Sequence, residues 1–237
     1  MAGHSKWNNI KHRKEKTDAQ RAKIFTKTGR EISVAVKEGG ADPAANGKLR
    51  DLIAKAKSMN VPNENIERII KKAASGEDRS DYESISYEGY GPEGAAVIVE
   101  ALTDNRNRTA ADVRHYFDKY GGNLGTAGCV SYMFETKGII MLETDDPDKT
   151  FEDAIESGAE DVEIFEETVR IITSAEDFAA VKQSLSDKDY TFDSAEIEPI
   201  PSSYVTLSEE SVKKMTKMLE LLEDSDDVQR IWHNAEV

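Results

Sequence analysis

The sequence predicts an α+β protein in three parts: an N-terminal three-helix domain, a discontinuous α/β middle domain, and a β-α-β-β-α-β domain inserted into it. Three observations carry that prediction. Apolar residues recur at helical spacing through the first 80 residues, the apolar period changes to that of strands beyond them, and charge divides along the same line. Residues 1–80 hold 18 Lys and Arg against 10 Asp and Glu, whereas residues 81–237 hold 13 against 36. The net charge of −15 is therefore +8 at the front and −23 behind.

Within the helical part, Ala22, Phe25, Ile32, Ala35 and Val36 form one apolar face over Asp18–Lys37, stopped by Gly39-Gly40. Asp42 is the expected N-cap of the next helix, with Pro43 at its first position and Leu49, Leu52, Ile53, Ala56 and Met59 on its inner face. After the break at Val61-Pro62 a third helix carries Ile66, Ile69, Ile70 and Ala73 and ends before Gly76, and Gly76–Asp81 is a polar linker. Domain 1 is accordingly drawn at 1–80.

Ser84–Tyr90 and Ala95–Leu102 then read as strands separated by Gly91-Pro92-Glu93-Gly94. Thr109 is the expected cap of a helix bearing Val113, Tyr116 and Phe117, which stops at Gly121-Gly122, and a strand is expected over Val130–Phe134. The inserted pattern follows. Ile139–Leu142, Val162–Phe165, Val169–Ile172 and Ala195–Ile197 are strands, Asp148–Ser157 and Ala175–Leu185 are helices, and Glu166-Glu167-Thr168 turns the central hairpin. That order is ferredoxin-like. Last, Ser208 caps a helix with Val212, Met215, Leu219 and Leu222 on one face, and Val228–Trp232 is strand-like. This tail is expected to return to the Ser84–Phe134 unit, which makes the middle domain 81–135 plus 204–237 and the acidic insertion 136–203.

Composition excludes several classes. With 38% hydrophobic and 32% charged residues the chain is too apolar to be disordered, and its apolar runs, Ala95–Val99 and Ile139–Leu142, are too short to cross a bilayer. No hydrophobic leader is visible, so a cytoplasmic location without membrane partners is expected. The single Cys129 rules out an internal disulfide framework, and the histidines at 4, 12, 115 and 233 show no metal-ligand spacing. There is no GxSxG elbow. Cys129 reads as a small hydrophobe, and acidic pairs such as Asp145-Asp146 and Asp226-Asp227 read as solvated loops. Neither an enzyme, a metal site nor a cofactor is expected.

The basic front is where function is expected. Lys6, Trp7, Lys11, His12, Arg13 and Lys14 precede a helix with Arg21, Lys23, Lys27 and Arg30, and the last three share one face by their spacing. Such a stripe attracts phosphates by counterion release, and Trp7 and His12 are able to stack on unpaired bases. The same residues also fit an ordinary solvated face with a basic tail. A second candidate is Thr103–Thr109, where Arg106 and Arg108 stand at a helix start that favours anions. It is equally an ordinary strand-to-helix loop whose arginines pair with nearby acids. The cluster Gly121-Gly122-Asn123-Leu124-Gly125-Thr126-Ala127-Gly128 lacks the Gly-Lys-Ser/Thr ending of a P-loop and follows a helix, so it is expected to be a turn needing positive φ, with a backbone contact to RNA the lesser reading.

These segments resemble the YebC family along nearly the whole chain. Ala2-Gly3-His4-Ser5-Lys6-Trp7, Lys23-Ile24-Phe25-Thr26-Lys27, Asp42-Pro43-Ala44-Ala45-Asn46, Tyr87-Glu88-Gly89-Tyr90-Gly91-Pro92 and Leu102-Thr103-Asp104-Asn105-Arg106-Asn107-Arg108-Thr109 are similar to its motifs. Ala22 and Glu93 depart from the usual Gly, and Cys129 from the usual Ser. The resemblance implies a helical domain followed by two α/β domains. It also implies one of two activities: DNA-binding transcriptional regulation at promoters, or translation support on the ribosome, with rRNA or tRNA as partner, relieving stalling at proline-rich stretches. The acidic rear and the lack of a clear recognition helix favour RNA over duplex DNA. A protein-binding adaptor using the acidic domains is the third class, and the oligomeric state is not legible.

Overall fold

The structure, a computed structural model, describes residues 18–78 and 80–236, with side chains from Ala22 onward. They fold as two compact units, one of residues 132–204 and one of the flanking segments 18–131 and 205–236.

The flanking unit opens with helices α1 (Asp18–Gly39), α2 (Gly47–Ser58) and α3 (Asn63–Ala74). Ile32, Ala35, Val36, Leu49, Ala56, Val61, Ile66 and Ala73 form their shared core, the face that the apolar spacing predicts. The start of α2 differs from expectation. Asp42 initiates a turn, taking the amide of Ala44 on its side chain, and the cap is Asn46. Asn46 is buried because it does three things at once. Its Oδ1 accepts from the Leu49 amide at 3.0 Å, and its Nδ2 donates at 2.8 Å to both the Ala35 and Gly40 carbonyls. One side chain thus begins α2 and ties it to the end of α1.

Strands β1 (Glu83–Tyr90) and β2 (Ala96–Thr103) pair antiparallel, with Tyr90 opposite Ala96. In the turn between them Glu93 takes the left-handed φ of 54°, and its carboxylate accepts from the Ser208 amide and from the Ser208 and Ser211 hydroxyls. Helix α4 (Arg106–Lys119) is capped by Asn105, whose Oδ1 accepts from the Arg108 amide, and not by Thr109, which lies inside the first turn. After α4, β3 (Asn123–Leu124) pairs with β1.

The 132–204 unit contains β4 (Phe134–Glu143), α5 (Pro147–Glu156), β5 (Asp161–Phe165), β6 (Thr168–Ser174), α6 (Phe178–Asp187) and β7 (Ser194–Pro201). The sheet order β5-β6-β4-β7, antiparallel throughout, is that of the ferredoxin-like fold. Ile140, Leu142, Val162, Val169 and Ile171 bury against Ala154, Val181 and Leu185 of its helices. Glu166 and Glu167 form the two-residue turn of the β5–β6 hairpin, Glu166 at φ 55°. Gly138 allows α6 to approach β4, since a Cβ there would fall 2.4 Å from the Phe178 ring. The strand expected over Val130–Phe134 is instead a 3-10 turn at Ser131–Met133, and β4 starts at Phe134.

The chain then returns. β8 (Val205–Thr206), α7 (Glu209–Asp224), β9 (Val228–His233) and β10 (Ala235–Glu236) complete the flanking unit, with β9 adding antiparallel to β2 to give the order β3-β1-β2-β9. Val97, Val99, Val113, Phe117, Met215, Met218 and Leu222 form the core between this sheet and α4 and α7. No helix of the described residues is long and apolar enough to cross a membrane.

Replacing Asn46 by Ala removes a cap and takes a donor from the buried Ala35 contact and the part-buried Gly40 contact, so a loss of about 2 kcal/mol in unfolding free energy is expected. Urea unfolding measures it as a lower midpoint at constant slope. A loss below about 0.5 kcal/mol would refute the joining role.

Candidate nucleic-acid interface

The stripe on α1 does not face solvent alone. Lys23 Nζ lies 2.5 Å from an Asp224 carboxylate oxygen, and Lys27 Nζ donates to the Glu223 carbonyl at 2.7 Å. Both partners belong to the last turn of α7, whose unpaired carbonyls carry the negative end of the helix dipole. Burial pushes the Lys27 pKa below the ordinary lysine value, against the opposing pull of Glu223, Asp226 and Asp224. Arg30 donates to Asp227 at 2.6 Å and to the Leu102 carbonyl at 3.1 Å, with its guanidinium 5.3 Å over the Tyr82 ring. Further along α1, Ser33 and Lys37 hold the linker through Asp78 and the Ser80 carbonyl. The expectation of a free stripe is corrected: charge complementarity is satisfied within the chain.

Asp227 is the centre of this seam. The solvated loop expected for Asp226-Asp227 fails here, because Asp227 is 5% exposed. Besides Arg30, its carboxylate accepts from Arg108 at 2.8 and 3.3 Å, from Thr109 at 2.7 Å and from Thr103 at 3.2 Å. Its carbonyl takes the Leu102 amide at 2.7 Å. Burial pushes the carboxyl pKa up, but the bonds from Arg108, Arg30 and Thr109 outweigh it and hold the value at about 2. Thr103 and Thr109 reach Asp227 because the β2–α4 loop brings the end of one element and the first turn of the next to the same side.

The other arginine of that loop differs. Arg108 is tied to Asp227 and Asp104 yet remains 46% exposed, and Arg106 is exposed, its carbonyl accepting from the Tyr87 hydroxyl. A fixed fork therefore stands beside an open one at the head of α4.

The glycine cluster is a turn, as its composition suggests, with Gly121 at φ 83° and Gly128 at φ 85°. Its amides converge on an anion that the chain supplies. The buried Glu88 carboxylate accepts from the amides of Gly128, Val130 and Ser131 at 2.8–2.9 Å. Burial raises the Glu88 pKa, but these amides outweigh it and the net shift is downward. The concavity that would suit a phosphate is filled by Glu88. Burial and the Glu88 charge push the Cys129 thiol up, which favours its protonated form.

Lys6, Trp7, Lys11, His12, Arg13 and Lys14 lie outside the described residues, and Arg21 is described only as backbone in α1. Among the described residues, Lys57, Arg68, Lys71 and Lys72 of the bundle are exposed cations that the sequence reading left out of the site. Asp227 and Glu88 were also missed. Neither has a local sequence signal, because each carboxylate meets its Arg- or Gly-rich partner stretch only in space, 119 and 40 positions away along the chain.

Residues 5–76 match the family model described as the TACO1/YebC protein N-terminal domain, and residues 82–235 the one described as the TACO1/YebC second and third domain. The chain is 56% identical over 238 residues to a probable transcriptional regulatory protein of Acetivibrio thermocellus, covering 99% of this chain and 98% of the relative. It is 53% identical over 240 residues to one of Geobacillus thermodenitrificans, covering 100% and 97%. Among solved structures it is similar to a conserved hypothetical protein of Aquifex aeolicus, with TM-score 0.83, 47% identity and coverage of 93% and 92%.

Because the folded Asp227 pKa lies near 2 and its ordinary value is 3.8, its contribution is fully present above about pH 5 and is lost as pH falls through 2. That contribution is about 2 kcal/mol. Chemical unfolding of the Asp227→Asn variant between pH 5 and 2 is expected to show a pH slope shallower than the parent's by that amount. Equal slopes would remove Asp227 from the acid transition.

Proposed function

We propose for this chain, which belongs to the TACO1/YebC family of regulatory proteins, a non-enzymatic role as a nucleic-acid-binding regulator of gene expression, acting on RNA as a ribosome-associated translation factor. The observation that carries this reading is the charge division, +8 over residues 1–80 and −23 over the rest. A cationic front suits a phosphate-lined cleft, while a strongly anionic rear resists lying along a duplex.

Two features of the described residues support phosphate contact over base reading. The exposed cations Lys57, Lys71 and Lys72 reach as flexible point charges, which grip backbones without sequence preference. Helix α3 also exposes Glu64 and Glu67 ahead of Arg68, which suits neither a recognition helix nor a major groove. Arg106, exposed beside the fixed Arg108, offers a second contact.

DNA-binding transcriptional regulation is the second reading, and it is favoured by relatives that are named probable transcriptional regulatory proteins. Because Lys23, Lys27 and Arg30 sit in internal pairs, reversing their charge breaks the seam as well as any interface. The exposed set is the cleaner probe. Lys57→Ala, Lys71→Ala and Lys72→Ala together are expected to weaken ribosome binding about tenfold and to reduce the salt slope by about 2, with the melting temperature unchanged. Parent-like binding to ribosomes alongside site-specific promoter binding that survives competitor DNA would transfer the function to transcription.

A further inference from the structure

The three cations of α1 are held by a seam made of charge. The bundle core and the middle-domain core are separate clusters, each built only from its own residues. What joins α1 to the acidic edge at 223–227 is Lys23 with Asp224, Lys27 with the Glu223 carbonyl and Arg30 with Asp227. Lys23 and Asp224 are 35% and 68% exposed, so mobile ions screen that pair. Polar joints of this kind between domains yield to motion more readily than apolar ones.

We propose that the acidic edge at the end of α7 is an autoinhibitory latch: it occupies the Lys23, Lys27 and Arg30 stripe as a stand-in for phosphates, and an incoming nucleic acid takes its place as the bundle swings off the edge. The inference rests on the nucleic-acid reading above and adds the regulation of its stripe.

Three points favour exchange over a permanent joint. From Lys23 to Arg30 the helix rises about 10 Å, so the three cations form a row along which more than one phosphate of a strand can be met at once. Asp227 is not orphaned when Arg30 leaves, because Arg108, Thr103 and Thr109 still donate to it. Ser33 and Lys37 bind the linker at Asp78 and Ser80, so the other half of α1 keeps its tether and provides the pivot.

The test uses the full chain in a Cys129→Ser background, with donor and acceptor dyes at Ser58→Cys on α2 and Lys213→Cys on α7, both exposed. Single-stranded RNA and inorganic polyphosphate are the two probes, read by energy transfer and by anisotropy. Either probe is expected to lower transfer at saturation. Asp224→Asn with Asp226→Asn is expected to tighten binding about threefold or more, whereas Glu166→Gln with Glu167→Gln, which removes the same charge from the β5–β6 turn, leaves it near the parent. Opening by polyphosphate but not by RNA upholds the latch and fails the nucleic-acid reading. Saturable RNA binding with unchanged transfer overturns the latch alone. Equal tightening by both pairs of substitutions, or no response to either probe, overturns it as well.

Discussion

A single buried carboxylate with two guanidinium partners organises the flanking unit. Asp227 costs several kcal/mol to remove from water as an anion, and that cost is offset only if donors converge on it. Five do, from α1, from the end of β2 and from the first turn of α4. The requirement fixes where α7 must stop and where β9 must start, because Asp227 lies between them. In the latched form it also holds α1, since Arg30 reaches both the carboxylate and the Leu102 carbonyl.

Two further carboxylates follow the same logic, and together they change the meaning of an acidic rear. Glu88 gathers three amides of the glycine loop. Glu93 accepts left-handed backbone, at a cost of about 1 kcal/mol for a residue other than glycine, and returns it by capping α7 through Ser208 and Ser211. Such groups are ligands for the chain's own donors. They do not add to a solvated field, and the field that remains comes from exposed acids such as Glu166 and Glu167.

Local and periodic features were legible in the sequence. The bundle faces, the order β-α-β-β-α-β and the return of Val228–Trp232 all rest on spacing, and the structure has them; the turn expected over Glu166-Glu167-Thr168 is shorter by one residue, since Thr168 already pairs with Phe165. What failed were choices between neighbours of similar chemistry. Asn46 caps in place of Asp42 because only an amide can both accept from Leu49 and donate to the end of α1, and Asn105 caps in place of Thr109 because the helix starts at Arg106, which leaves Thr109 inside its first turn. The strand expected at Val130 was lost to Glu88, which takes the amides a ladder would need. The stripe was the largest miss. Its spacing correctly gave one cationic face, but Arg30 and Asp227 are 197 positions apart, and charge alone does not say which partner it meets.

The middle sheet has its outermost strand on the far side of the insertion: β9 pairs with β2, while all four strands of the 132–204 sheet are contiguous in the chain. A chain emerging during synthesis therefore has the whole inserted sheet available before β2 can acquire its second neighbour. Until β9 arrives, one edge of β2 offers unpaired backbone groups to any other extended strand. The same late stretch carries Asp227, so sheet closure and the neutralisation of Arg30 and Arg108 are completed by one event.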